Sequence, residues 1–72
     1  LKKHTFYYFT DNLVAYTSWR MTWEIWCDEI GKDADDYTVT GMEMNTHLGK
    51  MYLAKALVYL TEQEVELFEL GA

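Results

Sequence analysis

The side chains in this sequence that could do chemistry are few: His4, His47, Cys27, and carboxylates that gather in two groups, Asp28 to Asp36 and Glu62 to Glu69. A zinc site needs several thiolate or imidazole ligands at short spacing, and one thiol with two distant histidines does not supply them. Asp33, Asp35 and Asp36 bear only a faint resemblance to the acid spacing of a calcium loop. The glycine and distal glutamate that would complete it are missing at their offsets, so no metal is expected. As a nucleophile, Cys27 would need a nearby base and an electropositive surrounding; beside Asp28 and near Glu24 its thiol should instead be harder to ionise. His47 stands among turn-forming residues and reads as a solvated loop residue. Gly41, Gly49 and Gly71 are isolated, and Gly49 followed by Lys50 lacks the rest of a phosphate loop. The expectation is a protein that is not an enzyme and has no cofactor.

The charge balance narrows the partners. A formal net charge of −6 disfavours phosphate backbones and anionic membranes, so neither direct nucleic-acid binding nor membrane binding is expected. Phe6, Tyr7, Tyr8 and Phe9 could stack bases, but such a platform needs a positive groove, and Lys2, Lys3 and His4 are the only basic cluster. The leading expectation is a small acidic protein-protein interaction module that binds a basic surface of a larger protein. Asp28, Asp33, Asp35, Asp36, Glu62, Glu66 and Glu69 would face that partner, with tyrosines or tryptophans as anchors. One form is an inhibitor or regulator that occupies a nucleic-acid-binding groove by imitating phosphate charge. Small acidic α+β inhibitors made by phages and mobile elements share this size and charge, a likeness of character and not of motif. Two alternatives stay open: a structural homo-oligomer or assembly subunit, and a small-molecule-binding protein using Tyr16 and Trp23 with His47. An acidic balance also serves simply to keep a small protein dispersed.

These residues must be positioned by a few elements, and the longest periodic stretch is Asp11 to Ile30. On a helix, Leu13, Tyr16, Trp19, Trp23, Trp26 and Ile30 fall on one stripe at spacings of three and four. Thr10 or Asp11 could cap its start, and Gly31 could take the left-handed conformation that ends it. Val14, Met21 and Ile25 form a second, narrower stripe nearly opposite. It is either exposed, under a loop, or a self-association surface.

Ahead of the helix, Lys2 to Thr10 reads as a strand, aromatic on both faces and so expected at the centre of a sheet or at a covered edge. Tyr37 to Asn45 reads as a strand in which Gly41 marks a bulge or a close backbone approach. The turn formers from Asn45 to Lys50 could close a hairpin. Met51 to Leu60 fits either period. Read as a strand, it puts Tyr52, Ala54, Ala56, Val58 and Leu60 on one face and Met51, Leu53, Lys55, Leu57 and Tyr59 on the other. Thr61 to Glu64 matches a capping box, so a short helix should run to Leu70 and stop at Gly71, with Val65 and Phe68 facing the core; a strand is the competing reading.

The fold class expected is therefore α+β, a single domain over residues 1–72 in β-α-β-β-α order, with a three-stranded sheet covered on one face by the tryptophan-rich helix. Half of the 72 residues are hydrophobic and 17% are aromatic, more apolar surface than so small a globule hides, which points to a homodimer. The apolar runs are too short to span a bilayer. With one cysteine and no leader pattern, the cytoplasm is the expected location.

Overall fold

The computed structural model describes residues 1–70. Its elements follow the order β1 (Lys2–Thr10), α1 (Leu13–Glu29), β2 (Tyr37–Thr46), β3 (Gly49–Leu60) and α2 (Glu62–Leu70). The molecule is a small α+β domain with a three-stranded antiparallel sheet contacting the tryptophan-rich helix. Strand order is β1-β3-β2, so the ambiguous Met51 to Leu60 run is the central strand. β1 pairs only with β3 and forms an edge, with Lys2 opposite Leu60 and Thr10 opposite Tyr52. Its aromatic residues on both faces had suggested a centre or a covered edge. α1 and α2 lie over one of those faces, and the other stays open.

Cross-strand rows explain how a helix carrying three tryptophans fits against so small a sheet. Tyr8, Ala54 and Gly41 form one row, and Phe6, Ala56 and Val39 the next. Large side chains at the edge and alanines on the central strand make a trough for α1. Ala54, Ala56, Val58 and Leu60 are buried, and Cys27 of α1 reaches the same core. Gly41 marks a close approach and not a bulge, since its register with β3 is unbroken. A Cβ there would collide with the Tyr16 hydroxyl and ring.

The caps were partly legible. Asn12, not Thr10 or Asp11, caps α1: its Oδ1 accepts a hydrogen bond from the Ala15 N–H at 3.0 Å. Thr10 Oγ1 accepts from the Asn12 N–H, which moves the cap one residue along. Gly31 is left-handed as expected (φ 76°), with its N–H donating to the Asp28 carbonyl and the Lys32 N–H to the Cys27 carbonyl. The capping box of α2 is formed in both directions, Thr61 N–H to Glu64 Oε1 at 2.9 Å and Glu64 N–H to Thr61 Oγ1 at 3.2 Å. The expected stop at Gly71 lies outside the described residues. Leu13, assigned to the tryptophan stripe, is exposed, because α1 begins there, past the edge of the trough. Cys27 takes a buried place that the stripe did not assign to it.

Candidate functional site

β1 leads into α1, which runs back along the sheet, so the C-terminal end of α1, the start of β2, the end of β3 and α2 all meet at one end of the molecule. Asp11 and Glu43 lie at the opposite end, and Glu24 stands further back along α1. The candidate partner-binding residues Asp28, Asp33, Asp35, Asp36, Glu62, Glu66 and Glu69 thus share one end, together with Glu29 and Glu64. Their two groups are joined by one ion pair. Lys32 Nζ reaches Glu64 Oε1 at 2.9 Å, with both side chains largely buried. Burial alone would push the Glu64 carboxyl up, but hydrogen bonds from Thr61 and Lys32 outweigh it and hold the group below its ordinary value.

The remaining acids at this end are mostly solvated. Asp36 is partly buried: its carbonyl accepts from the Tyr59 N–H at 3.0 Å, and its Oδ2 caps the Asp33 N–H at 3.3 Å. The Tyr37 hydroxyl donates to Asp28 Oδ1 at 3.4 Å. Partial burial, then the neighbouring Asp28, raises the Tyr37 phenol above its ordinary value. Asp28 and Glu29 occupy the last turn of α1, where no basic residue offsets them. Acids at a helix C-terminus oppose the macrodipole by about 0.3–1 kcal/mol each. Asp28 recovers part of that cost by accepting the Tyr37 hydroxyl. Lys2 and Lys3 start β1 at this same end, Lys2 on the side of α2 and Lys3 on the opposite face of the sheet.

α2 closes over the tryptophan helix through aromatic contacts. Phe68 of α2 stacks on Trp26 at 4.1 Å and meets Trp23 at 4.9 Å, while Trp23 stacks on Phe6 of β1 at 4.5 Å. Cavities remain between α2 and β1. One of about 470 Å³ is lined by residues that include Lys2, His4, Glu62, Val65 and Glu66, and one of about 380 Å³ by His4, Phe6, Trp23, Val65, Phe68 and Glu69. They share His4 and Val65. Sequence reasoning missed this groove: the phase of Val65 and Phe68 against Glu62, Glu66 and Glu69 sets apart an apolar and an acidic side of one short helix, but not the side of α1 on which that helix settles.

Val14, Met21 and Ile25 lie on the outward side of α1, 74%, 54% and 52% exposed. A broader apolar surface lies on the open face of the sheet. Phe9, Leu53 and Met42 form one row there, Met51 and Met44 another, and Tyr7, Leu57 and Tyr59 extend it. Lys3 and Lys55 are its charged residues; no carboxylate falls on that face among the described residues.

The residues weighed for chemistry stay apart. His4 is in the groove, His47 is in the hairpin turn at the opposite end, and Cys27 is in the core. Burial and then Asp28 push the Cys27 thiol up to about 11, with Lys32 acting in the other direction. Among the described residues no three His, Cys, Asp or Glu side chains gather closely enough to hold a metal ion, and no helix is long and apolar enough to cross a membrane. Comparison with known proteins finds no family model, no curated protein and no solved structure that matches the chain.

Proposed function

We propose that this chain is a small acidic protein-interaction module that binds a basic surface of a larger protein through the end formed by the α1 C-terminus, the Asp33 to Asp36 loop and α2. The observation that carries the reading is the gathering of carboxylates at that end, including Asp28 and Glu29 against the helix dipole, around a Lys32 already paired with Glu64. Such an end steers a basic partner into contact and favours it over acidic competitors. In its sharpest form the partner's basic surface is a nucleic-acid-binding groove, and the acids stand where phosphates would. The test is capture of partners by the tagged chain at low and high salt, in parallel with the isosteric triple variant Asp33→Asn, Asp35→Asn and Asp36→Asn. A basic protein released by salt and lost with the triple variant supports the reading. Capture that is indifferent to both salt and variant refutes it.

A second reading, self-association, is favoured by the open sheet face. Its methionines, leucines and aromatics form a patch of the kind monomers rarely leave bare. In this reading Phe9→Glu lowers the solution mass, whereas Met21→Glu does so only if the outward stripe of α1 is the contact. Sedimentation of the two variants decides between the surfaces.

A further inference from the structure

We infer that the groove between β1 and α2 is the seat of an extended, lysine- or arginine-bearing segment of the protein partner; this rests on the acidic-module reading and names where the partner's chain lies. The two cavities run end to end beside β1, from Lys2 past His4 to Phe6. That span is about 14 Å, room for roughly four extended residues.

One wall is α2. Glu62, Glu66 and Glu69 are spaced by four and three, so they fall on one side of the helix, about 6 and 4.5 Å apart along its axis. Alternate side chains of an extended strand stand about 7 Å apart, near the roughly 6 Å step from Glu62 to Glu66, while Glu66 and Glu69 are close enough to share one cation. The floor is apolar: Phe6, Trp23, Val65 and Phe68. Lysine and arginine match such a groove, with aliphatic stems to cover an aromatic floor and a cationic head to reach a carboxylate rim. A nucleic-acid strand would meet the glutamate wall with charge of the same sign, and so would a second copy of a chain with net charge −6. Lys2, at the outer end of the groove, and His4, at its middle, are the groups on β1 that face the incoming cations.

The test uses the whole chain and a short peptide of alternating lysine and valine, followed by NMR and calorimetry, with the acetyl-lysine form of the peptide as the uncharged control. The expected result is that the lysine peptide shifts the signals of His4, Phe6, Val65 and the Trp23 indole, and the acetylated peptide does not. Glu66→Gln with Glu69→Gln should weaken binding about tenfold, while Asp33→Asn, Asp35→Asn and Asp36→Asn weaken it much less. All five positions are solvent-facing or keep their hydrogen-bond acceptor, so these variants fold. If the peptide binds but shifts the Asp33 to Asp36 loop and leaves the groove signals unmoved, the groove is overturned and the acidic-module reading survives. Equal binding of the acetylated peptide also overturns the groove inference, by making the site purely apolar. Groove signals that move with protein concentration alone place a second copy there and overturn it as well. Absence of any peptide binding at low salt overturns the groove, and the salt-dependent capture experiment then judges the wider reading by itself.

Discussion

Trp23→Ala tests the aromatic cluster on which both the fold and the groove depend. The ring lies between Phe6 at 4.5 Å and Phe68 at 4.9 Å, with Trp19 at 5.8 Å, and one side of it is open to the groove. Taking about 150 Å² of buried apolar surface for a tryptophan so placed, at about 25 cal/mol per Å², the transfer term is about 4 kcal/mol. The alanine keeps part of that burial, and the side facing the groove was never dry, which brings the loss to about 3 kcal/mol, the lower end for such truncations. A chain of 72 residues has about 4 to 11 kcal/mol in total. The variant should therefore fold, but with a much lower urea midpoint, read by far-ultraviolet circular dichroism because the substitution removes a fluorophore. Leu13→Ala is the control: on the same side of the helical wheel but exposed, it should change stability by no more than about 0.5 kcal/mol. A loss below about 1 kcal/mol for Trp23→Ala, or equal losses for both variants, would refute the placement of α1 in the alanine trough.

Gly41→Ala should lower the melting temperature strongly although residue 41 is exposed, because the new Cβ must displace the Tyr16 ring; pairing it with Tyr16→Ala should recover part of the loss in a double-mutant cycle. Cys27 should resist thiol reagents in the native state and react only at the rate of unfolding. Its folded value of about 11 exceeds the ordinary 9.0, so its contribution to stability is complete below pH 9.0 and is lost as pH rises towards 11; Cys27→Ala should flatten that alkaline decline. Glu64 has the opposite sign. Its carboxyl is held below 4.5 in the folded state, so the stability it adds is present above pH 4.5 and fades as pH falls below it. The gap in chemical stability between the parent and Glu64→Gln should therefore narrow in acid, and a gap that widens there would be inconsistent with the Lys32 pairing. Added salt should raise the melting temperature by screening the crowded acids.

Much of this architecture could be read from the sequence because its signals are local. The Thr61 to Glu64 box, the left-handed Gly31 and the three-four spacing of the tryptophans are all set within one or two turns of chain. The two faces of Met51 to Leu60 were also legible once it was read as a strand. Its place at the centre of the sheet was not, because strand order depends on pairing across dozens of residues. The α1 cap was misread by one or two positions since Thr10, Asp11 and Asn12 are all good caps, and the choice was made by Thr10 Oγ1 capturing the Asn12 N–H. Leu13 and Cys27 exchange expected roles because a helix wheel ranks faces without knowing where the underlying sheet ends. Among the candidate site residues, their gathering at one end follows from α1 reversing direction after β1. The groove beside α2 depends on which side of α1 the second helix settles, and nothing in the spacing of Glu62 to Leu70 specifies that.

The β1-β3-β2 order also sets a timetable for synthesis. β1 is made before β3, which is its one strand partner among the described residues, so Lys2 waits for Leu60. At about 5–20 residues per second, several seconds pass in which the aromatic strand Phe6 to Phe9 is out of the ribosome, or in its tunnel, with nothing to pair with. Hairpins close in microseconds, so β2 and β3, adjacent in sequence, can pair as soon as both are made, whereas β1 must join across dozens of residues. Until β3 is made the aromatic strand has an unpaired edge of the kind that invites strand-to-strand pairing, and like charges on Lys2 and Lys3 disfavour such pairing between two nascent chains.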